Sequence, residues 1–112
     1  MGDGWVQHMN LARVTDAYPG KDCRRVDLQL ERSWWGKGTG TRAIRLLTAH
    51  GFGQGADLMF AVDVASDNLR SQRAFRANGY QLWRQLEQPR GSKVPYRSDF
   101  LCQLETFEPP SQ

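Results

Sequence analysis

Cysteine and histidine are scarce in this chain of 112 residues, with two of each. Cys23 and Cys102 stand far apart in sequence and read as packed thiols in a reducing compartment rather than as a disulfide framework. With only His8 and His50 beside them, no zinc-ligand spacing exists, so no metal is expected. Long hydrophobic runs are missing too, which excludes a membrane-spanning helix; no membrane partner is expected. The opening Met1-Gly2-Asp3-Gly4-Trp5-Val6 has neither the basic segment nor the apolar stretch of a signal peptide. A cytoplasmic location is therefore expected. Excess charge of one sign is also lacking. The 15 Lys+Arg against 12 Asp+Glu leave +3, without a concentrated basic stripe, so nucleic acid is not an expected partner.

What is present suits one globular α/β (α+β) domain over residues 1–112: 39% hydrophobic and 24% charged residues, with 11% aromatic. A first strand is expected within Trp5 to Val14, followed by a turn at Tyr18-Pro19-Gly20-Lys21-Asp22. From Arg24 to Glu31 the alternation is clean, with Val26, Leu28 and Leu30 on one face and Asp27, Gln29 and Glu31 on the other. These two stretches predict an antiparallel hairpin. A helix is expected from Thr39 to His50 or Phe52, with Ala43, Ile44, Leu46, Leu47 and His50 on one side. The apolar run Leu58 to Val64 suits a strand covered on both faces, as in a parallel pair. A second helix is expected from Leu69 to Ala77, stopped by Asn78-Gly79. Tyr80 to Leu86 and Val94 to Thr106 predict a closing antiparallel hairpin. The expected order is β-β-α-β-α-β-β around a mixed sheet.

The segment Trp35-Gly36-Lys37-Gly38-Thr39-Gly40-Thr41 has three alternating glycines immediately before a helix. Glycines let a ligand approach the backbone, and the first helical N–H groups lack internal partners, so this is a candidate phosphate site, helped by Lys37 and Arg42. No Walker A string occurs. A dinucleotide fingerprint, Gly38-x-Gly40-x-x-Ala43 with Asp63 further on, is the weaker match. Glu31-Arg32-Ser33-Trp34-Trp35 separates the strand from the glycines, and only one crossover unit is in view.

Trp35 to Ala43 resembles the acetyl-CoA pyrophosphate loop of the GNAT superfamily of N-acetyltransferases, Gln/Arg-x-x-Gly-x-Gly/Ala. Gly38 and Gly40 fill the glycine positions and Trp35 replaces the Gln or Arg. Asn68 to Tyr80 resembles the family's Asn-x-x-Ser/Ala...Tyr-x-x-x-Gly-Phe segment. The ribosomal-protein N-acetyltransferase-like and aminoglycoside 6'-N-acetyltransferase-like branches are the similar ones. The resemblance implies acetyl-CoA as cofactor and a small-molecule or peptide amine as acceptor. It implies that backbone amides of Gly36, Lys37, Gly38, Thr39, Gly40 and Thr41 bind the pyrophosphate. It implies that the strand at Leu30 and Glu31 lies along the pantetheine arm, and that Asn68 and Ser71 contact that arm or order the second helix.

The amine must lose a proton before attack, and Asp27 or Glu31 is the candidate acceptor of it, against the alternative of a solvated strand face. Asp99 is a third candidate. Phe75 stands where the family has a Tyr that meets the leaving thiolate; Tyr80 and Tyr96 are the substitutes considered. Arg70, Arg73 and Arg76 make either a solvated basic face or an attraction for the CoA 3'-phosphate. Against the family pattern the chain is expected to be N-terminally shortened, lacking the first strand and first two helices, so that either the gene is truncated or a partner supplies those parts; exposed sheet edges favour a homodimer. A non-catalytic CoA-binding or assembly module is the alternative function.

Overall fold

The structure, a computed structural model, describes residues 2–30 and 38–108. Strand β1 (Gly2–His8) and strand β2 (Cys23–Leu30) pair antiparallel from Gly2↔Leu30 to His8↔Arg24, as the alternation predicts. The first strand stops earlier than expected. Met9, Leu11 and Val14 do not follow a two-residue period, and a four-residue helix α1 (Ala12–Thr15) turns Val14 into the core instead. Gly20, at φ +78°, helps reverse the chain before β2.

Helix α2 (Thr39–Gly53) follows, then strand β3 (Leu58–Ala65), helix α3 (Leu69–Arg76), and strands β4 (Gln81–Glu87) and β5 (Tyr96–Gln103). The last expected strand ends at Gln103 and passes into a single 3-10 turn, Leu104–Thr106. The five strands form one sheet in the order β1-β2-β3-β5-β4. Only β2 and β3 run parallel; the other pairs are antiparallel.

Each face of the sheet has its own core. On one side Val26, Met59, Ala61, Phe100 and Cys102 pack under α2 and α3 with Ile44, Phe75 and Tyr80. On the other, Cys23, Leu58 and Phe60 pack under α1 and its flanks with Met9 and Val14. The apolar stripe of α2 is rotated from the expected one: Ile44, Thr48 and Gly51 are buried, while Leu46 is 60% exposed and His50 is exposed. Gly51 explains the choice. A Cβ there would lie 2.5 Å from the Met59 sulfur, so the helix rests closest to the sheet at this residue. Both cysteines are free and buried, one in each core.

Candidate active site

The parallel strands β2 and β3 hold together only at one end. Their register runs from Cys23↔Leu58 to Arg25↔Phe60, and beyond it the strands part. A cleft of about 1320 Å³ opens there, lined by Val26 to Leu28 on one lip and Ala61 to Ala65 on the other. Backbone groups of β2 beyond this point thereby have no β3 partner.

The start of α2 borders this cleft through Gly38, Gly40 and Thr41. Gly38, at φ +72°, occupies the N-cap position, and no side chain of the described residues caps the helix. The first-turn N–H groups thus keep their donors and the positive end of the helix dipole faces the opening. Asn78, buried, fixes this turn in place. Its Nδ2 donates to the Thr41 carbonyl at 2.9 Å and to the Ala74 carbonyl at 2.9 Å, and its Oδ1 accepts from Arg45 Nε at 3.0 Å. One side chain therefore ties the first turn of α2 to α3. Asn68 caps α3 by accepting from the Ser71 N–H at 3.1 Å, and both residues line the cleft.

Asp27 lines the cleft but is engaged there. Its carboxylate accepts from Arg25 Nη2 at 3.1 Å and Gln7 Nε2 at 2.8 Å. Leu30 is the last residue of β2, opposite Gly2, and Thr39 is the first residue of α2. Glu31, Gly36 and Lys37, with Trp34 and Trp35, lie outside the described residues.

Asp99 is fully buried, accepting from Arg13 Nε at 2.8 Å and Nη2 at 3.0 Å and from the Asp63 N–H at 3.0 Å. The hydrogen bonds that Arg13 donates to the Asp99 carboxylate raise the pKa of its guanidinium above the ordinary value. Tyr80 is buried, its hydroxyl 2.7 Å from that of Thr48, and burial pushes the phenol well above its usual range. Tyr96 is 44% exposed and does not line the cleft. Phe75 does, so the structure brings no tyrosine of the described residues to the cleft wall. Of the three arginines, Arg70 and Arg73 border the cleft, whereas Arg76 lies 5.3 Å over the Phe100 ring. Arg13 was given no role by the sequence; Asp63, read there only as the acidic member of the weaker dinucleotide match, and Asn78, read only as part of a helix stop, take other roles in the structure. The signal for Asp63 was visible: it is the lone charge inside the apolar run Leu58 to Val64.

A domain model of the GNAT acetyltransferases matches residues 5–81, well over half of the chain. The chain belongs to the GNAT acetyltransferase family. The GNAT match takes in both lips of the cleft, α2 and α3, and stops before β5 with its Arg97 and Asp99. Solved GNAT structures resemble the fold. Salmonella typhimurium YncA, solved with acetyl-CoA, superposes with a TM-score of 0.76 at 18% identity, over 98% of this chain and 61% of its own. Aminoglycoside acetyltransferase AAC(6')-Ib, solved with coenzyme A, gives 0.62 at 22% identity, over 75% of this chain and 47% of its own. A GNAT acetyltransferase from Bacillus anthracis gives 0.69 at 14% identity, over 89% of this chain and 57% of its own. The chain thus spans about half to three-fifths of the length of these structures. No curated protein matches it.

Proposed function

We propose that this chain is an acetyl-CoA-dependent N-acetyltransferase domain that acetylates a primary amine by direct attack. The observation that carries the reading is the parted parallel pair beside an uncapped, glycine-led helix start. The residues present suit acetyl-CoA. The open β2 edge offers N–H and C=O groups for the amide-rich pantetheine arm, and the α2 start offers N–H donors for the pyrophosphate. Solved relatives hold coenzyme A or acetyl-CoA, and some hold ribostamycin or kanamycin, which are amines.

Gly36 to Thr41 hold the diphosphate, and Asn68 and Ser71 border the arm. When bound, the thioester would supply an activated acetyl group: the amine N–C bond would form as the C–S bond breaks, and of the two protons an ammonium must lose, one would go to a carboxylate before attack and the other would end on the departing sulfur, releasing the thiol. The β2 backbone near Leu30 donates to the developing oxyanion. Glu31 or Asp27 takes the proton; Asp27 does so only after loosening its bond to Arg25. The acceptor is a small molecule or peptide, the chain works in the cytoplasm as one domain, and it pairs as a homodimer along the outer edge of β1, where Trp5 is 44% exposed.

A second reading, a CoA-binding module without turnover, draws on Phe75 and on the burial of Tyr80. Thermal shift with acetyl-CoA, CoA and NAD at matched concentrations tests the site, since a ligand of the folded state raises Tm. Acetyl-CoA and CoA should raise it and NAD should not. Gly38→Glu sets a carboxylate against the diphosphate and should abolish the shift. Thiol release with kanamycin, ribostamycin or spermidine then separates the enzyme from the module.

A further inference from the structure

Strand β3 carries a bulge where it meets the cleft. Its register against β5 steps from Ala61↔Phe100 to Val64↔Ser98, so β3 holds one extra residue. Within it Asp63 sits at φ +58°, the one described non-glycine residue at positive φ. Bulges of this kind re-aim a side chain, and such backbone persists only where the surroundings over-determine it.

Here the surroundings are charged side chains. The Asp63 N–H donates to the buried carboxylate of Asp99 at 3.0 Å, and the Asp63 carbonyl accepts from Arg97 Nη1 at 3.0 Å. Both backbone groups of the residue are thus satisfied by side chains of β5. Arg13 of α1 grips Asp99 through two nitrogens and reaches Asp63 Oδ1 at 3.0 Å. The Asp63 side chain stays 47% exposed on the cleft, and Oδ2 takes no hydrogen bond from a described residue.

The side of the sheet matters as much. Arg13 and its two carboxylates lie on the α1 face, and Asp27 shares that face through Arg25, which stands opposite Phe60 of the α1 core. The α2 start and α3 lie on the other face. A donor held by α2 and an acceptor held by Asp63 would meet through the gap between the parted strands.

We propose that Asp63 binds the amine of the acceptor as its ammonium, and that Arg13 and Asp99 are positioning residues that hold Asp63 on the lip of the cleft. This rests on the N-acetyltransferase reading. The test uses calorimetry with kanamycin and with spermidine on the CoA-saturated protein, alongside direct titration of CoA. Asp63→Asn removes the charge and tolerates the backbone; Asp63→Gly removes the side chain and any strain. Both should weaken amine binding about tenfold, the scale of one hydrogen bond to a charged group. CoA affinity should stay within about twofold, and the Gly variant should melt no lower than the parent, so misfolding is not the explanation. Arg13→Lys, which keeps the charge but loses the fork, should also weaken the amine and not CoA. Unchanged amine affinity in both Asp63 variants overturns the proposal. So does a CoA-saturated parent that binds neither amine, or a parallel loss of CoA affinity. A parent that fails to bind CoA at all removes the acetyltransferase reading first, and this inference with it.

Discussion

Two buried residues, Tyr80 and Cys102, set how the molecule answers to alkali. Burial holds the Tyr80 phenol well above its ordinary value of 10.0, and pushes the Cys102 thiol from 9.0 up to about 12. In the unfolded chain both groups ionise at their ordinary values; in the folded chain they stay neutral. Each is an acid with a raised value, so its contribution is intact below the unfolded value and is lost as pH rises. Stability should hold to about pH 9 and then fall progressively toward pH 12, read as Tm against pH. Tyr80→Phe should flatten the upper part of that slope while losing the bond to Thr48, a cost of about 1 kcal/mol at neutral pH. At this scale the sequence shows which residues ionise. Only their surroundings show that Asp99, one of the three carboxylates considered as a base, is enclosed by Arg13 and the Asp63 amide.

At the level of elements, the start of α2 has two supports: its place beside the parted strands and the clamp by Asn78. The Asn78 amide satisfies two carbonyls from different helices, Thr41 of α2 and Ala74 of α3. Asn78→Asp keeps the shape and the partner for Arg45 but replaces both donated bonds with repulsion between a carboxylate and two carbonyl oxygens. It should destabilise the chain by about 2–3 kcal/mol, measured by urea unfolding. It should also weaken CoA binding, measured by titration well below the variant's Tm, because the pyrophosphate donors are no longer fixed. Asn78-Gly79 read in the sequence as a helix stop, and it is one: Gly79 takes φ +85° with its α-carbon facing the Thr106 carbonyl. The interhelix role of Asn78 depends on a partner 37 residues away and leaves no local pattern.

For the whole molecule, the two cores lie on opposite faces of one five-stranded sheet and share its strands. Neither face can lose its cover without exposing the sheet that the other needs, so the chain should unfold as one unit. Tryptophan fluorescence and far-ultraviolet circular dichroism should give coincident urea transitions. A homodimer adds a second expectation: the midpoint should rise with protein concentration. Two separated transitions would break the single-domain reading, and a midpoint independent of concentration would remove the dimer.

The sequence by itself determined the five strands, the two longer helices and their order, because alternation, helical spacing and glycine stops are local signals. It placed β2, α2, β3, α3 and β4 within a few residues, and its glycine and Asn68 motifs led to the GNAT family that the domain match shows. It did not determine α1, whose four residues are too few for periodicity, nor which stripe of α2 is buried, which Gly51 against Met59 decides. Nor did it determine the parting of β2 from β3, the bulge at Asp63 or the grip of Arg13 on Asp99. These join residues as far apart as 86 positions, and only packing the α1 segment onto the sheet brings their charges together.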